Sequence, residues 1–280
     1  MRIGLIDVDS KIVNLAIMKI SAYHKMMGDT VEFAYPLTAR GFDIIYASKI
    51  FSYTKKPVLP HNAKIGGTGY DITSKLPVEI EICAPDYSIY PNCDYSLQRF
   101  SIGCVRKCEF CVVPKKEGMI KTLEPMTLNK NGKWIYLLDN NLLASKNWED
   151  ALLYLFELKQ PVCFEGIDIR IMSEKQAMSL NKIKLKKQIH IAWDNPGDDV
   201  VNKLKKIIKI IPAYKLMCYV LIGFNTSEKE DLYRVEELRA INVAPFVMPY
   251  NKFDLYQKKF ARWVNHKAIF KSVKWKDYDK

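Results

Sequence analysis

Nowhere in its 280 residues does the chain carry an uncharged apolar run of about eighteen or more, so no membrane-spanning helix is expected. A secretory leader is not expected either. The start, Met1-Arg2-Ile3-Gly4-Leu5-Ile6-Asp7, reaches an acidic residue before an apolar core can build, and the expected compartment is the cytoplasm. Internal repeats, coiled-coil heptads and low-complexity tracts are absent too, and 49% hydrophobic residues are ample for a packed core. Without an export signal, the seven cysteines are expected as reduced thiols, and a close group of them is better explained by metal than by disulfides. Acidic residues are in the minority, 31 against 43 basic, for a formal charge of +12. Such an excess attracts nucleic acid or other anions without identifying one.

The chain alternates between two kinds of segment. Ile3 to Val8 reads as a buried strand ending in Asp7-Val8-Asp9-Ser10. Ile12, Ala16, Ile20, Tyr23 and Met27 recur on one helical face, with a stop at Gly28. Val31 to Phe33 and Asp43 to Ala47 are further strands, and Ile65 to Tyr70 is a strand end turning through glycines. Pro77 to Asn92 lacks periodicity, so a domain boundary is placed near its end. Beyond it, strands at Trp134, Val162, Gln188, Leu216 and Ala244 alternate with helices at Trp148, Ser173, Val200 and Ser227, the second and fourth opened by capping boxes. With one more strand before Cys104, six strands suffice for an incomplete parallel barrel. The expected fold is therefore α/β: a small Rossmann-like parallel-sheet domain over 1–95, a partial (β/α)6 TIM-type barrel over 96–250, and a basic, aromatic extension over 251–280.

The chemistry is concentrated in Gly103-Cys104-Val105-Arg106-Lys107-Cys108-Glu109-Phe110-Cys111, which places three thiols at C-x3-C-x2-C spacing on one loop. Thiolates are the usual ligands of iron–sulfur clusters, and the adjacent Arg106 and Lys107 offset negative charge. Three ligands leave one iron open. A closed zinc site would need a fourth Cys or His close by, and the nearest cysteines are Cys83, Cys93 and Cys163.

This loop resembles that of the radical S-adenosylmethionine (SAM) superfamily, whose C-x3-C-x-aromatic-C pattern is matched by Cys104, Cys108, Phe110 and Cys111. The resemblance implies a 4Fe–4S cluster on the three cysteines, SAM on the open iron, and one-electron cleavage to a 5′-deoxyadenosyl radical that abstracts hydrogen from a substrate. A reductant such as flavodoxin or ferredoxin is implied too. Later segments extend the resemblance over most of 96–250. Asp139-Asn140-Asn141 stands where family members contact the SAM amino group, and Asp168 with Arg170 matches a segment where Arg approaches the carboxylate. Asp194 stands where an acidic residue meets the ribose, and Gly223 where a glycine admits the adenine. Each has a plainer reading: an ion pair between Asp168 and Arg170, an Asx turn at Asp194 before Pro196, and a strand ending at the Gly223 turn.

The first ~95 residues resemble, in arrangement alone, the cobalamin-binding-like domain that precedes the barrel in one branch of that superfamily. The Asp-x-His-x-x-Gly ligand motif of that domain is absent: His24 and His61 lack its neighbours, and Gly66-Gly67-Thr68-Gly69 is weak evidence by itself, so cobalamin is not the expected cofactor. The methylthiolating transfer-RNA enzymes share the cluster loop, but this chain has neither their second cysteine triad nor their terminal RNA-binding barrel. In the tail, lysines alternate with Phe253, Tyr256, Phe260, Trp263, Phe270 and Trp275. That pattern serves either a single-stranded nucleic-acid surface or an amphipathic helix covering a barrel, and the second is the expected use. His190 and His266 read as ordinary. The alternatives kept open are RNA or nucleotide-base modification by the same chemistry, a nucleic-acid-binding module with a structural metal, and an electron-transfer iron–sulfur protein. The substrate, small molecule or macromolecule, is not legible.

Overall fold

A computed structural model describes residues 1–36 and 38–278 and shows a mixed α/β chain with parallel sheets. It folds as two compact units: one holds 1–97, 112–118 and 125–133, the other 98–111, 119–124 and the chain from Trp134 onward. The tail from residue 251 belongs to the second unit.

In the first unit, β1 (Arg2–Asp7), β2 (Thr30–Phe33), β3 (Ile44–Ser48) and β4 (Lys64–Gly66) form a parallel sheet in the order β2-β1-β3-β4. Ile6, Ala34, Ala39, Ile45 and Ala47 make one apolar cluster in it. Helix α1 (Leu15–Met26) begins three residues later than the Ile12 periodicity suggests. The reason is local: the Asn14 side chain accepts from the Ala16 and Ile17 amides and so caps the helix there. The proline-rich stretch contains the short turn α2 (Val78–Glu81) and a 3-10 turn at Tyr87–Ile89, and α3 (Val113–Lys116) is equally short. The Gly66 to Gly69 run has a packing explanation. Gly67 sits at φ +92°, and a Cβ there would lie 2.4 Å from the Lys49 carbonyl oxygen; at Gly69 it would lie 2.8 Å from the Phe51 carbonyl oxygen.

Strand β5 (Tyr95–Gln98) carries the chain into the second unit, where β6 (Ser101–Ile102) pairs antiparallel with β7 (Lys121–Thr122). Strands β8 (Trp134–Leu137) and β9 (Val162–Phe164) pair in parallel, as do β10 (Ile189–Ala192), β11 (Leu216–Ile222) and β12 (Ala244–Pro249) in that order. Isolated parallel bridges, Val162 to Leu185 and Ile167 to Ile191, continue from one set to the other. Helices α4 (Trp148–Glu157), α5 (Glu174–Lys182), α6 (Val200–Ile207) and α7 (Glu228–Ala240) follow β8 to β11 in turn. The capping boxes at Ser173/Gln176 and Ser227/Glu230 both form with reciprocal bonds.

Because side chains alternate along a strand, each strand of this unit has two distinct faces. Ile135, Leu137, Val162, Phe164, Ile189, Ile191, Cys218, Val220 and Val247 join the helices in one continuous core. Tyr136, Cys163, His190, Tyr219, Phe246 and Met248 occupy the intervening positions. In the tail, α8 (Leu255–Asn265), α9 (Lys267–Ser272) and α10 (Trp275–Tyr278) bring Phe260, Trp263 and Phe270 into the core. The buried rings of the tail are therefore not free to stack on bases. Among the described residues no helix is long and apolar enough to cross a membrane.

Candidate functional site

The three loop cysteines lie in an unpaired segment between β6 and α3, each half-buried and free of disulfide. The loop is folded on itself: the Cys111 amide donates to the Cys108 carbonyl at 3.0 Å, and the Arg106 amide points at the Cys104 Sγ at 3.3 Å. Residues following three separate strands meet it. After β8, the Asn141 amide group donates to the Cys104 Sγ at 3.7 Å and to Asp168 at 3.4 Å. After β9, Asp168 receives Arg106 from the loop at 2.9 Å. After β10, Asp194 lies close enough for its charge to act on Cys108.

Asp139 plays a different part from its neighbours. It is 5% exposed, and its carboxylate accepts from the Phe100 amide at 3.0 Å and the Ser101 hydroxyl at 2.6 Å. It therefore fixes the strand that leads into the cysteine loop. Burial, opposed by those two bonds, pushes its carboxyl above the usual range. Asp139→Ala leaves both donors without an acceptor and is expected to lower stability by about 2 kcal/mol, read as a fall in the thermal midpoint. An unchanged midpoint would mean that the two bonds contribute nothing net.

Asn140 has its backbone carbonyl 3.5 Å from where a Gly166 Cβ would stand, so the turns after β8 and β9 are packed backbone to backbone. Asn141 is 2% exposed, and its Oδ1 is one of few buried side-chain oxygens with no hydrogen-bond partner among the described residues. An acceptor sealed without a donor is costly, so this atom marks where a donor is wanted.

Arg170 is committed. Its fork meets Asp168 through Nε at 2.7 Å and one terminal nitrogen at 3.2 Å, and its other terminal nitrogen reaches Asp198 at 2.9 Å. The ion pair is thus the structural fact at this position, and any carboxylate arriving here meets a guanidinium already paired twice. Burial opposes ionisation of Asp168, but the bonds and charge of Arg170, then of Arg106, outweigh it and hold that carboxyl below its ordinary range. Asp194 goes the other way: burial raises it, and the charges of Arg170 and Arg234 offset this only in part. Cys108 is raised first by burial, against the pull of Arg170, and further by Cys111, Asp194 and Cys104. Mutual opposition of this kind is what neighbouring thiolates relieve by sharing positive charge.

Phe110 packs edge-on to Phe224 at 5.4 Å, and Phe224 to Tyr250 at 4.9 Å. Gly223, at φ +75°, stands between Phe224 and the end of β11, and a Cβ on it would overlap the Gln257 side chain. The structure therefore requires glycine here for tight packing, whatever else approaches.

Among the described residues, no three His, Cys, Asp or Glu side chains converge on one point that could hold a metal ion. A mononuclear site needs such convergence, whereas cluster thiolates bind separate irons. The donor set here, three thiols on one loop with no fourth Cys or His beside them, fits the second requirement. The other cysteines are engaged elsewhere: Cys83 donates to Glu79 and Cys93 to Tyr95, while Cys218 is core. In the first unit both ring nitrogens of His24 are taken, Nδ1 by Asp29 at 2.7 Å and Nε2 by Tyr46 at 3.0 Å, so this imidazole is not free to ligate a corrin.

Composition and spacing pointed to the cysteines and missed Glu165, His190 and Arg234. His190 Nδ1 bonds Glu165 at 2.8 Å, and Arg234 is fully buried between α7 and the ends of β10 and β11. For His190 the available signal is a histidine inside an otherwise apolar strand, whereas Arg234 lies in a charged helix that gives none. No protein-family model matches this chain, and no curated protein matches it.

Proposed function

We propose that this chain is a radical SAM enzyme in which Cys104, Cys108 and Cys111 hold a 4Fe–4S cluster and SAM occupies its open iron. On this reading β5 and β8 to β12 with their helices constitute the partial (β/α)6 barrel, and the first unit is a Rossmann-like domain preceding it. The observation that carries the reading is the meeting of the three-thiol loop with the segments after β8, β9 and β10, since strand ends of such a barrel are where its chemistry gathers.

Held by Cys104, Cys108 and Cys111, the cluster would supply one-electron reduction of SAM. The chain's own residues bind and orient. Asn141 Oδ1, buried without a donor, would accept from the SAM amino group. Asp168 and Arg170 act together as a paired wall: Asp168 ties the loop's Arg106 to Arg170, and the Arg170 charge would attract the SAM carboxylate. Asp194, whose carboxyl burial raises against the charges of Arg170 and Arg234, would meet the ribose hydroxyls. Phe110 with Phe224 offers the adenine an apolar surface beside Gly223. The expected external partners are a low-potential flavodoxin or ferredoxin and a substrate still to be identified.

The test is anaerobic reconstitution with iron and sulfide, then dithionite and SAM, with 5′-deoxyadenosine as the readout. Wild type is expected to form the nucleoside and Cys108→Ala to form none above background. A fully loaded cluster that yields no nucleoside overturns the reading, as does preferential uptake of zinc, which would favour a structural metal site.

A further inference from the structure

Away from the cysteine loop, the strand faces that do not pack on helices carry a second group of polar side chains. Glu165 is its centre. Its carboxylate takes His190 Nδ1 at 2.8 Å, the Cys163 thiol at 3.1 Å and the Tyr219 hydroxyl at 3.4 Å. His190 is 5% exposed, yet its Nε2 has no partner and is not among the sealed atoms of the described residues. The chain thus holds an imidazole by one nitrogen on a carboxylate and leaves the other bare. The Tyr219 hydroxyl also lies 2.9 Å from Nδ1, but the Glu165 carboxylate only accepts, so with that hydroxyl turned toward Glu165 the proton sits on Nδ1 and the lone pair on Nε2, which is what a proton-accepting base requires.

The neighbouring wall is apolar and open. Tyr219 meets Phe246 edge to face at 5.6 Å, and Phe246 and Met248 on β12 are 39% and 41% exposed despite lying in a strand. Exposed aromatic and thioether surface beside one convergent polar group is the composition of a small-molecule site. The charge there is spoken for: Lys187 lies 3.9 Å from Glu165, and Lys186, which also acts on Cys163, sits 5.1 Å over the Trp134 ring. The wall therefore suits an uncharged planar ring better than a phosphate.

We propose that His190 is a general base, oriented by Glu165, that takes a proton at Nε2 from a planar, uncharged ring compound bearing an acidic O–H or ring N–H and resting on Phe246. In the step the substrate's O–H or N–H bond breaks, an Nε2–H bond forms, and the resulting anion stays paired with the imidazolium, whose charge Glu165 balances. The other titratable groups facing the pair are Cys163, Tyr136, Tyr219 and Lys187. Burial raises the first three, Cys163 and Tyr219 to about 12, so they stay protonated while His190 works. This site stands independently of the radical chemistry and uses none of the cysteine-loop residues.

The experiment titrates the full-length protein with 4-nitrophenol at a pH below the phenol's own titration and follows the visible phenolate band. Wild type is expected to give a saturable band. His190→Gln should lose it, and Phe246→Ala should raise the half-saturation concentration while keeping the amplitude at saturation. Glu165→Gln tests positioning: nitrogen NMR of the labelled imidazole should show Nδ1–H alone in wild type and a mixture of tautomers in the variant. The absence of a band in wild type, or an equal band in folded His190→Gln, overturns the proposal. Should His190→Gln not fold, the wild-type spectrum decides, because a proton on Nε2 at rest is incompatible with a base there. Since no cluster or SAM is needed, failure here leaves the nucleoside assay untouched, and the reverse also holds.

Discussion

Arg234→Ala is expected to lower the stability of the second unit by about 3–5 kcal/mol, the usual cost of removing one partner from a buried ion pair. Arg234 and Asp231 are both 0% exposed and meet at 2.6 Å. The same guanidinium donates to the Trp193 carbonyl at 2.8 Å, the Asp194 carbonyl at 3.2 Å and the Leu221 carbonyl at 2.9 Å. It therefore ties α7 to the ends of β10 and β11, just where Asp194 and Gly223 emerge. Burial already pushes Asp231 above the usual carboxylate range despite Arg234, so the variant leaves an acid that must take up a proton or stay unpaired. Urea unfolding followed by tryptophan fluorescence reads the change, since Trp193 and Trp263 are buried in this unit. The double variant Arg234→Met, Asp231→Leu should recover much of the loss, because apolar replacement of a whole buried pair is commonly near neutral. A single variant as stable as wild type would show that the pair and its three carbonyl contacts contribute little.

Glu165 sets the second expectation, on the acid limb of stability. Its hydrogen bond to His190, opposed by burial and aided by the Cys163 thiol, lowers its pKa from 4.5 to about 2. A carboxyl depressed in the folded state binds its proton less readily there than in the unfolded chain. Its stabilisation is therefore present above about pH 4.5 and is lost as pH falls toward about 2. At 1.36 kcal/mol per unit the whole shift is worth about 3 kcal/mol, and solvent screening of this half-buried carboxylate leaves about 1–2 kcal/mol of it. Wild type should thus exceed Glu165→Gln by most of that amount at pH 5.5, and the gap should close by about pH 2. Urea midpoints of the two proteins across this interval provide the check. A gap that does not change with pH would mean that Glu165 acts through packing and not through its charge. Because Glu165 also orients His190, the two readouts on this variant, acid stability and imidazole tautomer, separate its folding role from its positioning role.

What the sequence by itself determined about this protein is local. Strand and helix order in the second unit follows from apolar runs and from the Ser173 and Ser227 capping boxes, whose partners are three residues away. The cysteine loop is legible for the same reason, since its three thiols span eight residues. Where the relevant partner lay a few residues off the expected position, as with Asn14 at the start of α1, the element shifted by the length of that contact. The tail shows how composition stops short. Alternating lysines and aromatics allowed either a nucleic-acid surface or a covering helix, and only the packed structure decided for the second by burying Phe260 and Trp263.

Tertiary structure alone decided the partners of the charged groups. Asp139 could be read as a ligand-binding turn, but β6 brings Phe100 and Ser101 to it from 39 and 38 residues away. Arg170 shares itself with Asp198, 28 residues on, and His190 finds Glu165 across 25. Parallel strands are joined by helices, so residues that touch across neighbouring strands are always far apart in sequence, and their register is fixed by how the helices pack. Strands apolar on one face and mixed on the other read as continuous hydrophobic runs, which hides the face that carries Cys163, His190 and Tyr219 until the sheet is assembled.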